Sequence, residues 1–199
     1  MLGASSLAGC NGIPLPAGSD TPLTGFAKIH SGFPLPYFYV GSAVQWNEHY
    51  AVTVAHMPWV AGTVHECSSG CDMKFFRREA DGPVPNWRKF HVGERVTSVG
   101  NSAFGITVVS QGVALIRPFI NEDDGGFYSM HDGAVAKGMS GGPVYGENGD
   151  VLGINTGFYS TLLHPKDALE SGNVKRMTVF VDYDTIQREW DMYVKESRP

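Results

Sequence analysis

Apolar residues in this chain fall in short runs, broken by glycine, proline and small polar residues. Runs of four to eight residues bounded by turn formers are the mark of strands rather than helices. The pattern predicts strands over 38–44 and 50–55, joined by a polar turn at Gln45-Trp46-Asn47-Glu48, and then over 63–67 and 72–77. A polar stretch from Glu79 to Asn86, with Gly82, Pro83 and Pro85, reads as a connector between two halves. Strands are predicted to resume over 95–100, 106–115, 127–130, 142–145, 151–156 and 177–181. Only the last segment changes period. Ile186, Trp190, Tyr193 and Val194 stand at i, i+4, i+7 and i+8, one stripe of a helix, with Asp184 and Gln187 spaced as a capping box. The expected class is all-β with a plain structural helix at the C-terminal end.

Composition narrows this little and charge somewhat more. The 199 residues, 42% of them hydrophobic, suffice for one domain or two small barrels that share an interface. Twenty-five glycines and twelve prolines agree with many turns, and no repeat of fixed period stands out. A formal charge of −5 with no run of lysine or arginine excludes a nucleic-acid-binding face.

The three cysteines divide into one and two. Leu7-Ala8-Gly9-Cys10 resembles a bacterial lipobox, which would put a lipid on Cys10 and leave residues 11–22, with Pro14, Pro16 and Pro22, as a tether. The stretch before it is short and lacks a positive region, so Cys10 is either an anchor or an ordinary residue of a leader. Cys67 and Cys71 flank Ser68-Ser69-Gly70, a hairpin tip that a local disulfide would clip; two free thiols is the alternative. With His65 they make an incomplete zinc set, and no His-Glu-x-x-His helix is present, so no metal or other cofactor is expected.

One stretch carries chemistry. In Lys137-Gly138-Met139-Ser140-Gly141-Gly142-Pro143-Val144 a serine sits between glycines that let the backbone turn sharply and bring N–H groups close to a substrate carbonyl. It runs on into Gly149-Asp150-Val151-Leu152-Gly153-Ile154-Asn155-Thr156. Upstream, Ala51-Val52-Thr53-Val54-Ala55-His56 is a short apolar strand ending in a histidine. These stretches resemble the nucleophile loop and the base strand of chymotrypsin-fold (trypsin-like) serine proteases, and His before Ser is that family's order. Val92 to Asn101, Phe104-Gly105 and Val108 to Gly112 are similar to the start of the second barrel in the Deg (high-temperature-requirement) branch.

The resemblance implies two six-stranded antiparallel Greek-key barrels and a C-terminal helix. The first barrel would span about 23–82, the second about 88–182 and the helix about 184–196, in one protease domain over 23–199 behind a leader of 1–22. It implies Ser140 as nucleophile, His56 as base, and the N–H groups of Gly138 and Ser140 as oxyanion donors. The orienting carboxylate must lie upstream of Val92, and Asp72-Met73-Lys74-Phe75-Phe76-Arg77 matches its strand, sixteen residues after His56. Asp81, in the connector, is the fallback. Gly112-Val113-Ala114-Leu115-Ile116 mimics the same strand but has glycine where the aspartate belongs.

Ala134, six residues before the serine, would form the base of the specificity pocket, with Asn155, Thr156 and Gly157 as its far wall. A small or medium apolar pocket follows. Met139 stands where trypsin-like zymogens carry an aspartate for a freed N-terminal amine, so activation by cleavage before the barrel is not expected. The implied partner is a protein or peptide substrate, with membrane association only through a lipidated Cys10, and the implied location is the cell envelope or periplasm. A rival reading is a silent homologue that keeps the barrels, loses a triad member and serves as an anchored binding module. A structural envelope lipoprotein and a redox role for Cys67 and Cys71 are further rivals.

Overall fold

A computed structural model describes residues 13–32, 34–35, 37–115, 119–120, 125–159 and 177–197. In chain order its strands are β1 (Leu15–Pro16), β2 (Phe26–Ser31), β3 (Tyr39–Gln45), β4 (Tyr50–Thr53), β5 (Thr63–Glu66), β6 (Lys74–Arg77), β7 (Arg95–Asn101), β8 (Thr107–Val113), β9 (Phe119–Ile120), β10 (Phe127–His131), β11 (Pro143–Tyr145), β12 (Val151–Tyr159) and β13 (Met177–Asp182). The helix α1 spans Tyr183–Glu196. The all-β class with a C-terminal helix is as expected.

Pairing is antiparallel throughout both sheets. One sheet has the order β2-β3-β4-β6-β5, the other β1-β8-β7-β11-β12-β13-β10-β9. The division is thus five and eight strands rather than six and six, and neither sheet closes into a barrel among the described residues. Three strands were not expected: β1, β2 and β9. The first of these corrects the tether, because Leu15 and Pro16 pair with Val109 and Val108 and Ala17 N–H reaches Thr107 O at 2.9 Å. A proline at such a place fits an edge, where no inward N–H is needed. Cys10 and the rest of the lipobox lie outside the described residues.

One core cluster spans both sheets, and each sheet has a smaller one of its own, around Phe76 in the first and around Phe180 in the second. In the shared cluster Val44, Val52 and Phe75 of the first sheet meet Val99, Tyr145, Val151 and Ile154 of the second, with Ile186 of the helix closing one end. Fully burying such side chains contributes roughly 1.5–3 kcal/mol each. The helix docks through Trp190, whose ring lies 5.0 Å from Tyr50, 5.1 Å from Phe75 and 6.2 Å from Trp46. Trp46 in turn packs edge-on against Trp87 at 4.9 Å, and Trp87 donates its indole N–H to Gln45 O. Trp59 lies outside this cluster, exposed, with its ring 5.7 Å from Tyr39.

The helix starts differently from the predicted box. Asp182, not Asp184, is the N-cap: it has extended backbone angles and its Oδ1 accepts from Thr185 N at 3.0 Å. Its other oxygen accepts from the Ser129 hydroxyl of β10 at 2.7 Å, so a neighbouring strand selects which aspartate caps.

Candidate functional site

His56 lies three residues beyond β4, where the chain leaves the first sheet. Asp72 lies two residues before β6, the strand hydrogen-bonded to β4. That pairing returns the chain to the histidine across only sixteen residues. The imidazole Nδ1–H donates to Asp72 Oδ2 at 2.6 Å, and the backbone N–H of His56 donates to Oδ1 at 2.9 Å. Both carboxylate oxygens are therefore spent on one residue. Nδ1 carries the proton in this arrangement, which leaves Nε2 as the acceptor on a ring about half exposed (54%).

Lys74 holds the backbone around the histidine. Its ammonium group is buried and donates to Ala55 O at 3.1 Å and Met57 O at 2.7 Å, the carbonyls on either side of His56. Burial pushes its pKa below the ordinary lysine value, with the charges of Glu66 and Asp72 opposing. Sequence reading missed this residue, because a lysine in a strand reads as solvent-facing.

Ser140 sits on the connection from β10 to β11, and its loop is held mainly by backbone. Gly138 and Gly141 have φ of +95° and +82°, a region side chains rarely adopt. A Cβ on Gly141 would come within 2.1 Å of Ser42 O and 2.3 Å of Thr53 Oγ1. Ser140 O accepts from Ser42 N at 3.1 Å, and Gly141 N donates to Asn155 O at 2.7 Å, so the loop is anchored to both sheets. The Ser42 hydroxyl donates to Gly138 O and accepts from Asn101 N, each at 2.8 Å. Thr53 donates its hydroxyl to Ser42 O at 2.7 Å. Ser42 thus joins the serine loop to the strand that ends three residues before His56, a role no short motif announces.

The Ser140 hydroxyl donates to Thr156 O at 3.2 Å. The N–H groups of Gly138 and Ser140 have no hydrogen-bond partner among the described residues, whereas Met139 N–H between them is taken by Ala136 O. Met139 is wholly buried, and its Cα lies within 2.5 Å of where a Cβ on Gly100 would be.

The predicted pocket residues separate. Gly157 faces open space, since a Cβ there would meet nothing within 4 Å. Ala134 and Thr156 are buried, and Thr156 donates its hydroxyl to Val179 O. Asn155 turns inward rather than towards an opening. Its amide donates to Gly142 O at 3.1 Å, and its Oδ1 accepts from Ser98 Oγ at 3.0 Å. His131 completes this network: its Nδ1 accepts from Gly133 N at 3.1 Å, so Nε2 carries the proton and points to Ser98 Oγ at 2.9 Å. Burial pushes the His131 pKa down to about 4, against weaker pulls from Asn155 and Asp132, and the ring stays neutral.

Cys67 and Cys71 are joined in a disulfide. Asp81 pairs with Arg78 at 2.8 Å on the surface, whereas the carboxylate on His56 is that of Asp72. Gly112 backs onto Gly133, where a Cβ would lie 2.3 Å from its nitrogen. Among the described residues no cluster of three or more His, Cys, Asp or Glu could hold a metal ion, and no helix is long and apolar enough to cross a membrane.

Solved structures share this architecture. The Rv3671c protease of M. tuberculosis, in its inactive form, superposes with a TM-score of 0.64 at 16% identity, over 86% of this chain and 90% of that one. The serine endoprotease of Yersinia pestis gives 0.66 at 17% identity, over 89% of this chain and 65% of that one. The HtrA-type protease AlgW, with a tripeptide, gives 0.68 at 17% identity, over 87% and 61%. The chain therefore has the chymotrypsin-like fold, and it spans less than two thirds of the last two proteins. No protein-family model and no curated protein matches it by sequence.

Proposed function

We propose that the protein is a serine endopeptidase, in which Ser140 attacks the scissile carbonyl, His56 takes its proton and Asp72 orients the histidine. The observation that carries this reading is the two-point grip of Asp72 on His56, at 2.6 and 2.9 Å. Such a grip fixes the ring, selects the tautomer with a free Nε2 and stabilises the imidazolium that forms during attack. The Ser140 hydroxyl would turn from Thr156 O towards Nε2. The N–H groups of Gly138 and Ser140 would then receive the oxyanion, and His56 would return its proton to the leaving amine. The acyl-enzyme is released by water through the same groups.

A second reading, a silent homologue acting as a binding module, draws support from one contact: Ser140 donates to Thr156 O rather than to His56. Fluorophosphonate labelling followed by intact mass separates the two. A single adduct that disappears in Ser140→Ala supports the enzyme. A folded protein that stays unlabelled supports the module.

A pocket with Ala134 at its base and Gly157 at its wall would suit a small or medium apolar side chain, so peptides should be cleaved at least about tenfold faster after valine or alanine than after arginine. Equal rates would overturn this assignment. The oxyanion loop is ready without proteolytic trimming, because Met139 anchors it by apolar burial where an ion pair would otherwise be needed. Export to the cell envelope, with a lipid on Cys10, agrees with a disulfide that persists in oxidising compartments.

A further inference from the structure

Glu189 is a carboxylate with no part in the chemistry above, yet it is entirely buried on the inner face of α1. Its Oε2 accepts from Ser68 N at 2.8 Å and stands 3.0 Å from His65 Nε2, and its Oε1 accepts from the Ser68 hydroxyl at 3.1 Å. Burial opposes its ionisation, but the Ser68 N–H and His65 outweigh that and hold the carboxyl below the usual range. A buried carboxylate of this kind is weak as a source of stability, since well-packed apolar groups often serve as well. What it does supply is a defined position for Ser68.

Ser68 lies inside the loop that the Cys67–Cys71 bridge closes, and Asp72 is the next residue. The loop is pinned at its base by Cys67 N–H to Met73 O at 3.0 Å. Asp72 N–H donates to the Tyr128 hydroxyl at 2.8 Å, which fixes its backbone from the second sheet. From helix to carboxylate the chain of contacts is continuous.

We propose that Glu189 and the Cys67–Cys71 bridge are positioning elements for Asp72, holding its carboxylate against His56 from the C-terminal helix. Its catalytic consequence rests on the endopeptidase reading, but the geometric claim does not. Alignment of catalytic groups is sensitive to displacements of about 1 Å, and a seven-residue loop without these two restraints would allow that much.

The test compares wild type with Glu189→Ala, Glu189→Gln and the double variant Cys67→Ser/Cys71→Ser, all full-length. The first readout is the far-downfield NMR resonance of the His56 Nδ1 proton, which reports the bond to Asp72 whether or not the protein is an enzyme. The second is the rate of fluorophosphonate labelling. The proposal expects a sharp resonance in wild type, lost or broadened in Glu189→Ala and in the double variant, with labelling at least tenfold slower. Glu189→Gln, which keeps an acceptor for Ser68 N–H, should recover most of both. Unchanged resonance and rate in the folded variants would overturn the proposal, as would a wild type with no such resonance. Loss of the resonance in variants of a protein that never labels would uphold the positioning and remove only the endopeptidase reading.

Discussion

The two halves of the site are held in different ways. On the first sheet, His56 and Asp72 meet through a charge-assisted side-chain bond and a backbone N–H, across one strand pairing. On the second, Ser140 is held by main-chain bonds to both sheets, from Ser42 N and through Gly141 to Asn155 O. The acid–base contact is thus short-range, sixteen residues across one strand pairing, with Tyr128 and Glu189 steadying its loop from the second sheet and the helix. The nucleophile half is a long-range one, and exists only when both sheets have docked.

Asp72→Asn attacks the first half alone. The amide has one acceptor oxygen for the two His56 donors and no charge to offset the imidazolium, and its NH2 facing Nδ1 would select the wrong tautomer. The labelling rate should therefore fall by about four orders of magnitude, with little change in thermal midpoint. Gly141→Ala attacks the second. Its Cβ would collide with Ser42 O and Thr53 Oγ1 at a positive φ, so unfolding free energy should drop by about 3 kcal/mol or more, measurable by denaturant titration.

Acid should reach the second half through His131. Its folded pKa of about 4 lies below the unfolded value of 6.5, so the unfolded chain takes up the proton first. The stability this group contributes is complete above about pH 6.5 and is lost as the pH falls towards 4, roughly 3 kcal/mol in all. A thermal midpoint that declines over that window in wild type, and less so in His131→Gln, is the expected result. Ser42→Ala gives the smallest effect and the sharpest comparison. It strands Gly138 O and Asn101 N and should lower stability by about 2 kcal/mol, while the His56 Nδ1 proton signal stays in place.

Much of this was legible beforehand where chemistry is local. The strand before His56, the glycine-flanked serine and the Asp72 strand can each be read from a few adjacent residues. What escaped depends on distant partners. β2 (Phe-Ala-Lys-Ile-His-Ser) mixes polar and apolar residues and gains its identity by pairing along β3. β1 is two residues long and exists through β8. Asp182 and Asp184 are equally good caps on paper, and the Ser129 hydroxyl decides between them. Asn155 reads as a pocket wall from its place in the chain beside Thr156 and Gly157. The buried Ser98–His131 pair, far off in sequence, turns its side chain inward instead.

The distribution of the four tryptophans gives the molecule two optical reporters. Trp87 and Trp190 lie 4.9 and 6.2 Å from Trp46, close enough to exchange excitation, and Trp190 ties the group to the helix. Trp59, 61% exposed and three residues past His56, emits from water. Acrylamide should quench the red-edge emission of Trp59 selectively. The blue component should persist until the helix detaches, so one emission spectrum would distinguish an event at the site from loss of the fold.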